Sequence, residues 1–306
     1  MSSDRGAGEA VWLEANLRLV RADNPSPMTE RGTNSYILGR GTVAIIDPGP
    51  DDPRHLGALM RALAPHERVS HILVTHSHRD HSGLAPALAR RTGAPVLAFG
   101  PSDAGRDAQL QARIAALGIA EGTGVHRNFI PDRVVAAGET IVGSDWLLTA
   151  LWTPGHMGNH LCYHSETCVF TGDHVMGWSS SVVAPPEGDM RAYVEALEQL
   201  RDIAAARFYP GHGPPIDTPH ERVDALIRHR RTRESRILED LAAGSADLTN
   251  LTARVYRETP PSLHAAARYN LLSHLLDLEA RGIVTPEATP HGTERYALAA
   301  QRREDR

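Results

Sequence analysis

The 306-residue sequence contains no lysine; all 32 residues in its Lys+Arg count are arginine. This excludes a Schiff-base lysine, a pyridoxal-phosphate anchor, a P-loop lysine and a kinase phosphate-pairing lysine. GC-rich coding is a sufficient compositional reason for a lysine-free, arginine- and alanine-rich chain. Cysteine is scarce. Cys162 and Cys168 make neither a disulfide framework nor a CxxC pair, which points to a reducing, cytoplasmic compartment. No run approaches roughly 18 apolar residues, so no membrane partner is expected. Met1 to Gly8 is polar with no apolar h-region behind it, so no signal peptide is expected. The net charge of -5 argues against strong non-specific nucleic-acid binding, while allowing a local basic patch. Aromatics are few: 4 Phe, 7 Tyr and 4 Trp sum to 15, below the 17 histidines. Abundant imidazole without any ammonium side chain prompts a search for metal ligands.

What is present is an ordinary globular composition, 41% hydrophobic and 23% charged. At roughly 150 residues per domain, the length suggests two domains. Weak alternation over 11–20 reads as one strand. Residues 33–38 and 42–47 read as a hairpin, 52–64 as a helix, 69–74 as a buried strand, 83–92 as a helix and 94–98 as a strand. This rhythm predicts a layered α/β arrangement. The stretch 101–138 carries little pattern. Short strands are expected at 139–142, 146–152, 160–164, 167–171 and 207–209, with an amphipathic helix over 189–205. After Pro219 the pattern turns helical, over 219–242, 249–258 and 262–281. A strand–turn–strand follows around Pro290, His291 and Gly292. Three helices and a small ribbon outline a winged helix. The expected division is 1–217, a linking helix at 218–243, and 244–306.

The most informative stretch is Thr75-His76-Ser77-His78-Arg79-Asp80-His81, at the end of the buried strand. His76 and His78 can converge on one ion from an extended or turning loop. Asp80 and His81 then point to a second. Imidazole and carboxylate without thiolate suit zinc or another divalent first-row metal. Three further ligand-type residues sit beside glycine at strand ends: His156 in Thr153-Pro154-Gly155-His156, Asp173 in Phe170-Thr171-Gly172-Asp173, and His212 in Tyr209-Pro210-Gly211-His212-Gly213. Capped turns and surface histidines explain any one of these, but poorly explain the set.

HxHxDH, TPGH, GD and PGHG together resemble the metallo-β-lactamase superfamily of binuclear hydrolases, over about residues 15–217. The resemblance implies an α+β fold, a four-layer αββα sandwich with two divalent metal ions, zinc first among the candidates, at one edge of its sheets. It implies His76, His78 and His156 on one ion, Asp80, His81 and His212 on the other, and Asp173 bridging. Asp80 and Asp173 would be the catalytic carboxylates. A hydroxide shared by the ions would attack phosphorus or a carbonyl carbon. Periplasmic β-lactamases of the superfamily have cysteine or serine at the position of Asp173, and flavo-di-iron relatives have glutamate at that of His78. Both activities are therefore disfavoured. His229-Arg230-Arg231-Thr232-Arg233-Glu234 and Asn270-Leu271-Leu272-Ser273-His274-Leu275 are similar to the β-lactamase-like-protein-2 group, which adds a C-terminal winged helix. That group has an animal mitochondrial member that is a single-strand-specific endoribonuclease.

The resulting expectation is a hydrolase of single-stranded RNA or a related phosphate ester, small or polymeric. A glyoxalase-II-like thioesterase and a ligand-sensing regulator with a DNA-binding winged helix are the alternatives; the chain permits a homo-oligomer. Asp47 and Thr75 are expected to orient ligand imidazoles. Asn34 and Tyr36, which match a family TN-Y segment, and Trp178 are candidates for lining the substrate site. Arg230, Arg231 and Arg233 lie in a run from Arg228 to Arg236 with five arginines and one acid, suited to phosphate. His160, His164 and His174 are expected to be packing or surface histidines, and Cys162 a small buried residue.

Overall fold

The computed structural model describes residues 6–122, 124–288 and 294–300. The chain begins with β1 (Ala10–Glu14) and β2 (Leu17–Arg21), then β3 (Asn34–Leu38) and β4 (Thr42–Ile46), helix α1 (Pro53–Arg61) and β5 (Arg68–Leu73). Helices α2 (Arg79–Ser82) and α3 (Ala85–Thr92), β6 (Val96–Ala98), α4 (Ala108–Ala116) and β7 (Arg133–Val134) follow. The second half has β8 (Thr140–Val142), β9 (Leu147–Trp152), β10 (Leu161–His164), β11 (Cys168–Gly172), α5 (Met190–Arg201) and β12 (Arg207–Pro210). The C-terminal part has α6 (Pro219–Ala242), β13 (Ala246–Asp247), α7 (Leu248–Val255), α8 (His264–Ala280), β14 (Val284–Ala288) and β15 (Glu294–Leu298).

The single strand expected over 11–20 is two strands that pair antiparallel, with Ala10 opposite Val20. Ala15 and Asn16 turn the chain between them, a reversal that weak alternation does not reveal. The helix expected over 83–92 is preceded by the one-turn α2, broken at Gly83 and Leu84. The expected turn at Pro290, His291 and Gly292 lies outside the described residues. Its flanks β14 and β15 pair antiparallel from Val284–Leu298 to Ala288–Glu294.

A seven-stranded sheet runs β1-β2-β3-β4-β5-β6-β7, and a five-stranded sheet runs β12-β11-β10-β9-β8. Their facing sides meet in one apolar core that includes Tyr36, Ile46, Leu73, Leu161, Tyr163 and Phe170. The other face of the first sheet buries Ile37, Val43, Ile45 and Ile72 under Leu59 of α1 and Leu88 of α3. The outer face of the second buries Val169 and Phe208 under Tyr193 and Leu197 of α5 and Val223 and Leu226 of α6. Alternation along each strand thus fills two interfaces at once, giving the four layers αββα. A separate cluster holds the C-terminal part together: Ile237 and Leu241 of α6, Leu251 of α7, Leu271 and Leu275 of α8, and Tyr296 of β15. α8 also packs Leu272 and Leu276 on Ile114 of α4. Its two buried faces explain why that helix lacks a polar stripe. Among the described residues, no helix is long and apolar enough to cross a membrane.

Candidate metal centre

The centre is assembled from strand ends. β4 and β5 are parallel and in register through Ile46 and Leu73, so both chains leave the sheet side by side. Asp47 turns there with φ of 50°, a left-handed conformation that Asp tolerates better than most residues. Its carboxylate accepts from Thr75 N and Thr75 Oγ1, both at 2.8 Å, and pins the start of the histidine loop. Asp80 and His81 then lie in α2. β11 and β12 are also parallel, with Gly172 opposite Pro210, so Asp173 and His212 emerge from neighbouring strand ends. His156 comes from the loop after β9. Gly211 is required by crowding: a Cβ there would sit 2.5 Å from Asp173 Oδ1 and 2.6 Å from His81 Cε1.

All seven expected ligands come together. His76, His78 and His156 offer one trio of donor atoms, and Asp80, His81 and His212 another; His76, His81 and Asp173 form a third overlapping group. His78 Nδ1 lies 2.9 Å from His76 Nε2 and 3.0 Å from His156 Nε2. His212 Nε2 lies 3.2 Å from both His81 Nε2 and Asp80 Oδ2. Asp173 reaches both trios: Oδ1 is 3.3 Å from His81 and His212, and Oδ2 is 3.8 Å from His156.

The outer nitrogens decide what faces inward. Thr75 Oγ1 donates to Asp47, so at 3.0 Å it accepts from His76 Nδ1. His81 Nδ1 donates to Asp47 Oδ2 at 2.9 Å, His156 Nδ1 to Val182 O at 2.6 Å, and His212 Nδ1 to Gly32 O at 3.3 Å. Four of the five imidazoles thereby have Nδ1–H held outward, and the neutral ring turns an Nε2 lone pair inward. Asp173 Oδ1 is buried without a well-formed hydrogen bond. Inward lone pairs beside an orphaned carboxylate oxygen fit a cation, and imidazole with carboxylate suits a divalent first-row ion.

Electrostatics agree. Burial drives the pKa of His76 well below its usual value and that of His78 to about 3, so both are neutral at pH 7. Burial also opposes the charged form of His212, but Asp173 and Asp80 outweigh it and lift its pKa to about 9. The two carboxylates demand positive charge at this corner, which protons or a metal ion can satisfy.

Other expected site residues divide. Asp47 and Thr75 contact the His81 and His76 imidazoles. Trp178 and Arg233 line a cavity of about 550 Å3 that opens onto His78, Asp80, His156, Asp173 and His212. Asn34 and Tyr36 do not line it. Both are buried: Asn34 Nδ2 donates to Pro210 O and Gly213 O, and Tyr36 Oη to Pro210 O, so they hold the turn that carries His212. Arg230 is buried, with its guanidinium on Ser181 O, Asn270 Oδ1 and the Tyr193 ring, so it cannot hold substrate. Arg231 is exposed and paired with Glu198 at 2.9 Å, away from the cavity. The run disperses because successive residues of α6 rotate by about 100° around the helix, so consecutive arginines cannot share one face. His160, expected only to pack, stacks on His76 at 5.1 Å and bonds Thr153 Oγ1. Val182 O had no signal in the sequence, since a backbone carbonyl can belong to any residue type.

The chain matches the metallo-beta-lactamase superfamily over residues 28–212 and the beta-lactamase associated winged helix domain over residues 248–292. It is 31% identical to a beta-lactamase-like protein 2 homolog of Caenorhabditis elegans, covering 87% of this chain and 84% of that one. It is 31% identical to a thioesterase of Emericella nidulans, over 72% of this chain and 57% of that one. Its fold matches the crystal structure of a beta-lactamase domain protein from Burkholderia ambifaria with a TM-score of 0.80 at 22% identity, over 97% and 96% of the two chains. The chain belongs to the metallo-beta-lactamase superfamily, with the associated winged helix at its C-terminus.

Proposed function

We propose that this chain is a binuclear, divalent-metal hydrolase whose substrate is a small thioester. His76, His78 and His156 would hold one ion, Asp80, His81 and His212 the other, with Asp173 shared. Two such ions, zinc first among the candidates, would supply Lewis acidity and a nucleophilic hydroxide near neutral pH. The chain's own groups do the rest. Val182 O, Gly32 O, Thr75 and Asp47 fix the imidazole orientations. Asp80 is the more open of the two carboxylates, with 29% of its side chain exposed against 11% for Asp173. It accepts from Thr33 Oγ1 at 3.4 Å and faces the cavity, where it can orient the attacking nucleophile. A thiolate, with a pKa of roughly 8.5, then leaves without needing a proton.

The observation that carries the thioester reading is the cavity wall. Met28, Met176, Trp178, Val182, Leu263 and Ala267 line it, and among the described residues Arg233 is the one arginine of its lining. About 550 Å3 of largely apolar space suits an acyl group better than a polyanion, which needs a cationic track. The named thioesterase among the relatives supports the same class. A second reading, cleavage of single-stranded RNA, is favoured by Trp178, 38% exposed at the cavity and able to stack a base. The buried free thiols of Cys162 and Cys168 support a reducing, cytoplasmic setting. In this reading 1–217 is the hydrolase part, 218–243 the linking helix and 244–306 the winged-helix part.

The test is a panel with metal-loaded protein: an acyl-pantetheine thioester, S-lactoylglutathione, single-stranded RNA, bis(p-nitrophenyl) phosphate and nitrocefin. Thioester turnover well above the rest is expected. RNA cleavage without thioester turnover would replace the first reading by the second.

A further inference from the structure

The cavity wall contributed by the C-terminal part carries two side chains, Arg233 and Tyr256, whose hydrogen-bond donors are not all used among the described residues. Arg233, on α6, lies with its guanidinium carbon 4.5 Å from the centre of the Tyr256 ring. Its Nη1 donates to Val255 O at 2.8 Å, and among the described residues its Nε and Nη2 meet no acceptor. Among the described residues no carboxylate forms an ion pair with it; Glu258, whose charge acts on Arg233, comes within 3.9 Å of Arg236. Tyr256 is 6% exposed, and its Oη is buried without a hydrogen-bond partner. Native proteins pair more than nine in ten buried polar groups. Both side chains line one cavity, so a buried hydroxyl without a partner and a half-exposed guanidinium with two unfilled nitrogens lie side by side where a ligand's acceptor can be met.

Charge gives the acceptor its sign and the substrate its direction. The metal end of the cavity carries Asp80 and Asp173. His229, the other basic group on the C-terminal wall, is neutral at pH 7, because burial and then Arg230 and its fellow arginines hold its pKa near 4. Arg233 is thus the fixed positive charge of that wall. Leu263, Ala266 and Ala267 supply apolar surface beside it. A ligand complementary to this lining bears an oxyanion at one end, an apolar spacer, and an uncharged reacting bond turned toward the histidines.

We propose that Arg233 and Tyr256 form an oxyanion-binding subsite that selects thioesters carrying a carboxylate or phosphate, and that the C-terminal part is thereby a specificity wall of the active site. This rests on the hydrolase reading above. The oxyanion has two chemical sources, the far end of the acyl group or the thiol side of a phosphopantetheine.

The experiment compares three thioesters on metal-loaded protein: a neutral butyryl N-acetylcysteamine, its glutaryl counterpart with a terminal carboxylate, and butyryl phosphopantetheine. One charged substrate should exceed the neutral one in kcat/KM, and which one does so identifies the source. Arg233→Met should cut that preference about 10- to 100-fold, the scale of a charged hydrogen-bonded pair. Tyr256→Phe, which removes only the hydroxyl, should cut it by about 3- to 10-fold. Arg231→Met, exposed on the same helix and off the cavity, should leave it unchanged.

The same pairs are titrated calorimetrically as non-hydrolysable thioethers, which need no turnover. Equal binding of charged and neutral thioethers, or a charge preference that survives Arg233→Met and Tyr256→Phe, overturns the subsite. Charge-selective thioether binding that depends on Arg233, without turnover of any thioester, leaves the subsite standing and overturns the hydrolase reading instead.

Discussion

At the scale of single residues, Asp173 has the most demanding position. Its two oxygens face different histidine groups, and Oδ1 has no other well-formed partner. Asp173→Ala should lower the bound metal from two equivalents to one or none and abolish hydrolysis, while the fold persists because no apolar packing is lost. Elemental analysis after dialysis, with circular dichroism, checks this; two retained equivalents would reject the shared-ligand assignment. The candidate ligands are legible in the sequence because metal coordination would restrict residue type, and the HxHxDH, TPGH and PGHG segments set those types beside turns. Asn34 and Tyr36 show the reverse case. Their motif signals proximity to the site, yet the bonds to Pro210 O and Gly213 O make them supports of the His212 turn. Polarity and position in sequence do not tell a side chain that touches substrate from one that ties down a neighbouring loop.

At the scale of elements, α6 and α8 decide what the C-terminal part can do. The stretch Asn270 to Leu276 of α8 is buried throughout, including His274. Among the described residues both ring nitrogens of His274 lack hydrogen-bond partners, and burial, reinforced by Arg230, lowers its pKa to about 3. The unfolded chain, with an ordinary histidine pKa near 6.5, binds this proton more readily than the native one. The native state therefore has the full benefit of the neutral ring above about pH 6.5 and loses it as pH falls toward 3, by about 2 kcal/mol at pH 5. His274→Leu should flatten the loss of stability between pH 7.5 and pH 5 in urea titrations, and an unchanged pH slope would show that the ring is not the cause. Helix existence and type in this region follow from periodicity. The arginine run does not translate as readily into a surface, because helical rotation sends Arg230 inward, Arg231 outward and Arg233 into the cavity. The first hairpin is hidden for a related reason: two five-residue strands separated by Ala15 and Asn16 give too little contrast to mark a turn.

At the scale of the whole molecule, the C-terminal part is bonded to the segment 181–183 that supports His156 of the candidate metal centre. Val182 O accepts from His156 Nδ1 at 2.6 Å. The residues on either side of it are held from afar: Ser181 O accepts from Arg230 of α6, and Val183 N donates to Asn270 Oδ1 of α8 at 3.0 Å. Ser181 Oγ also donates to His174 O at 3.0 Å. Asn270→Leu removes the acceptor for Val183 N and one partner of Arg230. It should weaken metal binding by about 10- to 100-fold, the usual effect of losing support behind a ligand. Competition with a chromophoric chelator measures this without any turnover, and an unchanged affinity would detach the C-terminal part from the centre. None of this link is legible in the sequence, because its central atoms are backbone carbonyl and amide groups joined across 87 residues.

The helix α6 has a consequence for how the molecule holds together. Its first turns give Val223, Leu226 and Ile227 to the core beneath the second sheet, and its last turns give Ile237 and Leu241 to the C-terminal cluster. One rigid rod is thus a wall of two hydrophobic cores, and neither can shed it without opening its own interior. Two bodies joined by a flexible tether would drift and leave a cavity between them of no fixed shape. Fused along a 24-residue rod, they hold Arg233 and the histidines at a set separation before any substrate arrives. Little entropy then remains to be lost on binding, and selectivity by substrate length is built into the span of that helix.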